Sequence, residues 1–198
     1  MSGMQIRRMI DIASEQWRNG GGFTKTLAAN ADQWRVSLAE VQRDGPYSRF
    51  EGISRISLVL RGGGVRLEHA DTVVTVQTAE AVEYDGAPAW QATLIDGPVT
   101  ALNVMFPVSH PRPRVEVISC ATNVQPGCNA IIVALDSGCS ISGPAFAEPY
   151  VIEAGHVVIF DDARRLFTVT PTLKTSTAAG GVRFPVLVTI RAAAESQD

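Results

Sequence analysis

The stretch SLVLRGGGVRL at residues 57–67 decides the fold class of this chain. An apolar strand, a run of glycines and an alternating strand follow one another, which is the pattern of a tight β-hairpin. The stretch IIVALDSGCSI at 131–141 has the same order, and AVEYD at 81–85 is matched by VVIFD at 157–161. Both pairs are separated by about 75 residues, and a fixed period of this kind indicates an internal repeat. We therefore expect two similar β-rich halves.

The composition extends this expectation to the whole chain. Its 198 residues include 22 Val, 13 Ile and 14 Thr, which favour strands. The segment PVSHPRPR at 107–114 disfavours regular structure, so we place a boundary there, with one half at 1–108 and the other at 109–198. Halves of this size fit small jelly-roll β-barrels, and two such barrels packed together form a bicupin. A two-sheet sandwich of another topology is the alternative, because periodicity does not fix strand order.

Charge and hydropathy argue against several classes of partner. The formal net charge of −3 provides no positive field for nucleic acid or anionic lipid. No apolar run approaches the roughly 18 residues of a membrane span, and no apolar stretch follows the N-terminal charges as in a secretory signal. The cysteines lack C-x-x-C spacing. We therefore expect reduced thiols, as in most cytoplasmic proteins. We therefore expect a cytoplasmic protein without nucleic-acid or membrane partners.

The histidines do not predict a metal site. His69, His110 and His156 lie far apart in the sequence, whereas a catalytic metal needs about three converging ligands. Where a metal-binding cupin would have H-x-H, His69 is flanked by Glu68 and Ala70. We expect no metal and no other cofactor.

The segment WRVSLAEV at 34–41 predicts a strand that lines a pocket. Alternation places Arg35, Ser37 and Ala39 on one face. A guanidinium beside a hydroxyl and small residues suits a carboxylate, since arginine can form two parallel charged hydrogen bonds. Arg35 on a solvated face is the alternative. The loop GPYSRFEGISR at 45–55 then adds aromatic side chains and Arg55.

Four motifs occur in a fixed order in the first half. They are W-x-N-G-G-G-x-T at 17–24, W-R-x-S-x-A-x-V at 34–41, G-P-Y-S-x-F-x-G-x-x-R at 45–55, and G-P followed by N-V-M within 97–105. In order and spacing, the chain resembles the HutD/Ves family over residues 5–106. The resemblance implies a bacterial bicupin without metal-cupin motifs, associated with histidine utilisation, that binds a small acidic metabolite without established catalytic activity. Ala101 departs from the family pattern, which has an acidic residue there.

The resemblance also implies site residues. Carried over position by position, with Phe50 added as an apolar wall, the candidate ligand-binding residues are Asn19, Thr24, Arg35, Ser37, Ser48, Phe50, Arg55 and Asn103. Arg35 or Arg55 is the expected anchor for the anion. No residue is assigned a catalytic role.

The residues and the resemblance together predict a metal-independent bicupin that binds a small carboxylate metabolite of the urocanate or formylglutamate class, with a regulatory role in histidine utilisation. The alternative is a metal-independent isomerase or lyase of a small acidic metabolite, with Glu40, Glu68, Glu83 or Tyr84 as acid or base. A structural or protein-binding module is a third hypothesis. Near-continuous apolar runs at 131–135 and 157–160 predict a mainly structural second half, able to support a homo-oligomer.

Overall fold

The computed structural model describes residues 3–31, 33–172 and 184–191. In this part of the chain the secondary structure is all-β apart from one 3-10 turn at Met9–Asp11, which confirms the predicted class. No helix among these residues is long and apolar enough to cross a membrane. The described residues form two compact units. We call residues 12–108 the N unit, and residues 3–11, 109–172 and 184–191 the C unit.

The strands are numbered in chain order. Those up to residue 108 are β1 (Met4–Arg8), β2 (Glu15–Gln16), β3 (Gly22–Asn30), β4 (Trp34–Val41), β5 (Gly45–Pro46), β6 (Ile53–Arg61), β7 (Gly64–His69), β8 (Thr72–Gln77), β9 (Val82–Asp85), β10 (Gln91–Ile95) and β11 (Val99–Pro107). Those that follow are β12 (Arg114–Val117), β13 (Thr122–Val124), β14 (Cys128–Ala134), β15 (Cys139–Ser142), β16 (Tyr150–Ile152), β17 (His156–Ala163), β18 (Phe167–Pro171) and β19 (Val186–Arg191).

The N unit consists of two antiparallel sheets. One has the strand order β2-β3-β4-β11-β6-β9, and the other has the order β5-β10-β7-β8. Strands β4 to β11 are thus distributed over the two sheets in the order of an eight-stranded jelly roll. Strands β2 and β3 extend the larger sheet at one edge.

The C unit repeats this order. Its sheets are β1-β17-β14-β19-β12 and β13-β18-β15-β16. In this order β6 is equivalent to β14, β9 to β17 and β11 to β19. The repeat in the sequence therefore corresponds to a repeated strand topology. In both units the two sheets face each other through core side chains rather than closing by continuous strand pairing. The expected barrels are therefore open, two-sheet jelly rolls.

Strand β1 lies at the edge of the larger C-unit sheet. Met4 pairs with Phe160 and Arg8 pairs with His156. Met4 and Ile6 also pack against the C-unit core. The sequence predicts one half at 1–108, whereas the described residues 3–11 lie with the C unit, because the alternating apolar side chains of β1 cover an edge of that sheet.

Each unit has its own hydrophobic core, built from both of its sheets. Val59, Leu67 and Trp90 lie in the N-unit core. Ile132 and Phe167 lie in the C-unit core. Each unit therefore contains the apolar cluster that a two-layer fold requires.

The three cysteines are free thiols in the C unit. Cys128 and Cys139 are buried, and Cys120 is exposed. Burial raises the pKa of the Cys139 thiol to about 11 and also raises the pKa of Cys128. Both buried thiols therefore stay protonated and unreactive near neutral pH.

Candidate functional site

A row of buried polar side chains crosses the larger N-unit sheet. Asn103 of β11 lies opposite Ser37 of β4 on one side and Ser57 of β6 on the other, and all three are buried. Two residues along the strands, Ala101 and Val59 belong to the N-unit core. Since side chains of a strand alternate between faces, the polar row lies on the core-facing side of the sheet.

The next row on the same face contains two arginines. Met105 of β11 lies opposite Arg35 of β4 and Arg55 of β6. Tyr84 of β9 lies opposite Arg55 on its other side. Arg35 Nη2 approaches the sulfur of Met105 at 3.0 Å. The fold therefore brings both predicted arginines beside the polar row.

A directed chain of hydrogen bonds links these residues. Ser57 Oγ donates to Asn103 Oδ1 at 2.6 Å, and the Tyr84 hydroxyl lies 2.9 Å from Ser57 Oγ. Because Ser57 has a single hydroxyl proton, Tyr84 is the donor in the second bond. Arg55 Nη2 also donates to Asn103 Oδ1, at 3.4 Å. The carbonyl oxygen of Asn103 is thus held between two donors.

Arg55 is a buried cation without an acidic partner. Only 7% of the residue is exposed. Its guanidinium carbon lies 5.3 Å from the ring centroids of Tyr47 and Tyr84 and 5.9 Å from that of Phe50, and we call these three rings the aromatic cage. Its Nε has no hydrogen-bond partner, and no carboxylate in the described part of the chain forms an ion pair with it. The rings offset only part of the cost of burying a charge.

Tyr47 contributes a protonated phenol to the cage. Burial raises its pKa well above the usual range for tyrosine, and the neighbouring Tyr84 raises it further, while Arg55 lowers it by a smaller amount. The phenol is therefore neutral across the physiological pH range. It offers a hydroxyl and an aromatic face, but no negative charge for Arg55.

Arg35 lines a depression at the surface of the N unit. The depression has a volume of about 290 Å³, and Phe50, Met105 and Trp34 are among its other walls. The Phe50 ring centroid lies 5.9 Å from the guanidinium carbons of both Arg35 and Arg55. One aromatic ring thus contacts the arginine in the depression and the buried arginine.

Asn19 and Thr24 hold the loop that precedes β3. Trp17 Nε1 donates to Thr24 Oγ1 at 2.7 Å, and Asn19 Nδ2 donates to the carbonyl of Pro46 at 2.9 Å. The Trp17 ring meets the ring of Tyr47 edge-on, with centroids 5.7 Å apart. These two predicted site residues therefore act on the aromatic cage indirectly, by positioning Tyr47.

The predicted site residues do not all lie beside Arg55. Ser48 is exposed on the loop between β5 and β6, outside the hydrogen-bonded chain. One face of the sheet holds Arg35, Ser37, Arg55 and Asn103, with Phe50 beside them. Thr24 of β3 pairs with Ala39 and so lies on the same face, but on the far side of β4 from Arg55. Asn19 and Ser48 lie in loops.

Ser57 is a site residue that the sequence reasoning did not identify. Its side chain joins Tyr84 to Asn103 at the centre of the chain of hydrogen bonds. The available signal was an R-x-S pattern, which occurs at 35–37 and again at 55–57. Both occurrences are in strands, so each places an arginine and a serine on the same face.

The glutamates that an isomerase or lyase would need lie elsewhere. Glu83 Oε1 accepts a hydrogen bond from Ser54 Oγ at 2.7 Å. Both residues precede a cluster residue by one position and therefore point to the opposite face of the sheet. Glu40 is exposed, and Glu68 pairs with Arg66 at 2.7 Å.

The histidines lie on separate elements. His69 Nδ1 lies 3.3 Å from the carbonyl of Ala89, and His156 Nδ1 lies 3.2 Å from that of Glu153. His110 is buried, and its Nδ1 lies 2.8 Å from the carbonyl oxygen of Pro111. Among the described residues, no three histidine, cysteine or acidic side chains cluster as metal ligands would.

Comparison with curated proteins shows relatives over part of the chain. A protein of Pseudomonas putida, described as an uncharacterized 21.2 kDa protein in the hutC 3' region, is 28% identical over 123 residues, or 59% of this chain and 65% of that protein. Protein Ves of Citrobacter koseri is 32% identical over 96 residues, or 45% of this chain and 50% of its own length. The chain therefore spans between half and two thirds of the length of these relatives.

Comparison with solved structures shows a shared fold over nearly the whole chain. HutD from Pseudomonas fluorescens SBW25 superposes with a TM-score of 0.76 at 18% identity, covering 96% of this chain and 98% of that one. A conserved protein of unknown function from Pseudomonas aeruginosa PAO1 superposes with a TM-score of 0.75 at 24% identity, covering 94% and 95%. The family model described as HutD matches residues 10–178. The chain therefore belongs to the HutD family.

Proposed function

We propose that the N unit binds a small carboxylate at Arg55 and catalyses no reaction on it. The supporting observation is the buried guanidinium, whose Nε lacks a hydrogen-bond partner and whose charge no acidic side chain of the described residues balances. A ligand carboxylate would supply both the missing acceptor and the missing charge. Hydrogen bonds to charged groups contribute about 1.5–3 kcal/mol, which is sufficient to select such a ligand.

The surroundings of Arg55 favour a small anionic group. The aromatic cage lies within 5.9 Å of the guanidinium carbon and limits the space available to a ligand. Because Asn103 Oδ1 already accepts from Ser57 and Arg55, its amide nitrogen is oriented away from those donors and can serve as a second donor to the ligand. Such a site combines apolar walls with a few oriented polar groups, as small-molecule sites usually do.

The cluster supports binding better than acid–base catalysis. A general acid or base needs a pKa near the working pH. The phenol of Tyr47 has a pKa raised by burial, so it stays protonated, and Glu83 is bonded to Ser54 on the other face of the sheet. The described residues around Arg55 thus lack a carboxylate or imidazole that could take a proton from a substrate.

The family membership suggests the metabolic setting of the ligand. The relative in Pseudomonas putida is named for its position in the hutC 3' region. We therefore favour an acid of histidine utilisation, of the urocanate or formylglutamate class. We also favour a regulatory role, because a protein that binds a ligand without reacting with it can change only its own conformation or the concentration of free ligand. The free buried thiols fit a reducing compartment, which supports a cytoplasmic location.

Calorimetric titration tests the proposal with formate, urocanate and N-formylglutamate as probes. Arg55→Met removes the charge while keeping most of the side-chain volume. We expect at least one probe to bind the wild type and to bind this variant about ten- to a hundred-fold more weakly, because a charged hydrogen-bond donor is lost. Arg49→Met is the matched control, since Arg49 lies in the loop that carries Tyr47 and Phe50 but is 58% exposed and paired with Glu51.

Stability measurements on the same variants separate a binding role from a structural one. Removing an unpaired buried cation should leave the urea midpoint unchanged or raise it. If Arg55→Met lowers the midpoint sharply while probe affinity is retained, Arg55 is structural and the proposed site is wrong. A loss of affinity in Arg35→Met alone would instead move the anchor to the surface depression.

A further inference from the structure

The C unit contains a cavity of about 420 Å³. It is lined by residues 3–4, 144–146 and 160–167, which come from the start of β1, the β15–β16 loop and the β17–β18 region. This volume falls within the range of about 300–1,000 Å³ that is usual for small-molecule sites. All of its lining residues belong to the C unit, so it is distinct from the Arg55 cluster.

The wall of the cavity is aromatic. The rings of Phe160 and Phe167 are stacked, with centroids 4.4 Å apart and planes inclined by 27°. Met4 and Phe146 lie in the same lining and pack partly buried against the C-unit core. Such a surface favours a flat apolar ligand, because ring faces and edges attract one another beyond their buried area.

The mouth of the cavity has one cation that is not paired. Of its four charged residues, Asp161 accepts from Gln5 Nε2 at 3.0 Å, and Asp162 accepts from Arg164 Nε at 3.1 Å. Arg165 forms no ion pair with the described residues. Asp162 and Arg164 neutralise each other, whereas the amide of Gln5 holds the Asp161 carboxylate in place without removing its charge. Arg165 is therefore the guanidinium of this lining that can pair with the carboxylate of a ligand.

A β-bulge shapes this mouth. The pairing of β14 with β17 shifts register between Cys128 and Ala130, whereas the matching pair β6 and β9 runs without a shift. Asp162 lies at the bulge with φ of +55°, and its backbone N–H donates to Asn129 Oδ1 at 3.2 Å. Bulges of this kind redirect side chains and are frequent beside binding sites. Here the bulge precedes the two arginines at the mouth.

From these observations we infer that the C unit binds a small aromatic carboxylate, with its ring against Phe160 and Phe167 and its carboxylate paired with Arg165. This site lies in another unit and uses other side chains than the proposed Arg55 site. The rings of Phe160 and Phe167 favour a flat ligand, and Arg165 favours a negatively charged one.

Two methionines allow the two sites to be observed separately. Met4 lines the C-unit cavity, and Met105 contacts Arg35 in the N unit. We propose to label the methionine methyl groups with carbon-13 and to titrate the full chain with benzoate, using benzyl alcohol as a probe with the ring but without the charge. The Met4 methyl resonance should shift saturably with benzoate and at least about tenfold more weakly with benzyl alcohol.

Arg165→Gln is the decisive variant, because its side chain is exposed and the substitution should leave the fold intact. Benzoate affinity at the Met4 signal should fall about tenfold or more, whereas Arg49→Gln, with the same change in net charge, should leave it unchanged. A Met4 signal that does not move or does not saturate overturns the inference, and so does wild-type affinity in Arg165→Gln. If benzoate shifts only the Met105 resonance, the C-unit site is wrong and the Arg55 site is unaffected. If carboxylate affinity in the N unit does not change in Arg55→Met, the Arg55 site is wrong and the C-unit site is unaffected.

Discussion

The N unit and the C unit share one strand order but differ at matched core-facing positions. In the N unit, Arg55 of β6 lies opposite Tyr84 of β9. In the C unit, the matching strands β14 and β17 place Ala130 opposite Phe160. The C unit thus builds the same pair of strands without the guanidinium and without the phenol hydroxyl. The jelly roll therefore does not need Arg55 in order to fold.

The neighbouring matched pair shows the same difference. Ser57 of β6 lies opposite Asn103 of β11, whereas Ile132 of β14 lies opposite Leu187 of β19. Ile132 and Leu187 are almost completely buried apolar side chains. Polar groups in such positions weaken a core unless they are fully hydrogen-bonded. The fold does not require the polar row of the N unit. Polar side chains at these positions are, however, what a binding site would require.

A third matched position shows how an arginine is neutralised. Arg35 of β4 corresponds to Arg114 of β12, from their pairing with β11 and β19. Arg114 Nη2 bonds to Glu116 Oε2 at 2.7 Å, and Glu116 occupies the position that Ser37 has in the N unit. With a serine in place of the acid, Arg35 has no carboxylate two residues along its strand, and Glu40, the acidic residue of β4, lies on the other face.

The largest expected effect comes from copying Ser57 into the C unit. Ile132→Ser removes a fully buried side chain and introduces a hydroxyl that lacks the partners Ser57 has. We expect a loss of about 3–5 kcal/mol in the free energy of unfolding, measured by urea denaturation followed by circular dichroism. Ile132→Val, which keeps the position apolar, should cost about 0.5–1.5 kcal/mol. Equal losses in the two variants would show that this position tolerates polarity and would break the comparison.

The fold could be predicted from the sequence because its signals are local. The glycine turn at 62–64 is required by backbone geometry, since Gly62 has φ of +99° and a side chain there would collide with Pro98. Strand partners over long distances could not be predicted. The five residues of β1 pair with β17, more than 140 residues away, and their short alternating pattern does not identify a partner.

The candidate site could be predicted only in part. Alternation within one strand placed Arg35 and Ser37 on a common face, and the family motifs added Arg55 and Asn103. The role of Ser57 depends on register, because only the pairing of β6 with both β9 and β11 places it between Tyr84 and Asn103. Register is a property of the assembled sheet, so no single stretch of sequence contains it.

Copying Leu187 into the N unit should abolish most carboxylate binding. Asn103→Leu removes the acceptor for Ser57 and Arg55 and the amide donor proposed for the ligand. We expect the affinity for formate to fall about ten- to a hundred-fold in calorimetric titration, or about 1.4–2.8 kcal/mol. Asn103→Asp is the charge control, since a carboxylate at this position would neutralise Arg55 and also exclude the ligand. Wild-type affinity in either variant would contradict the site.

Alkaline pH should destabilise the N unit through Tyr47. Burial raises the pKa of Tyr47 above its unfolded value of about 10, so the protonated phenol is favoured in the fold. The stabilisation is complete below pH 10 and is lost as pH rises above it, by a little under about 1 kcal/mol near pH 10.5.

Tryptophan fluorescence measures this loss in the correct unit, because Trp17, Trp34 and Trp90 all lie in the N unit. Urea midpoints recorded from pH 8 to pH 10.5 should fall in the wild type and fall less in Tyr47→Phe. The C unit should also lose stability in this pH range, because burial raises the pKa of Cys139 to about 11 and raises that of Cys128. The tryptophan signal is therefore needed to follow the N unit by itself. A pH profile that is identical in Tyr47→Phe would show that another group governs the alkaline transition.

The smallest expected effect comes from copying Ser37 into the C unit. Glu116→Ser removes the partner of Arg114, but the Arg114 side chain is 74% exposed, so water can solvate its charge. The free energy of unfolding should change by less than about 1 kcal/mol, and the change should shrink further at high salt. The variant should also fail to bind formate at Arg114, because the matched inner positions hold Ala130, Ile132 and Leu187, which have no side-chain donors. If Glu116→Ser did bind formate and a further Arg114→Met removed that binding, an arginine beside a serine would suffice. The buried chain of Tyr84, Ser57 and Asn103 would then not be the feature that distinguishes the two units.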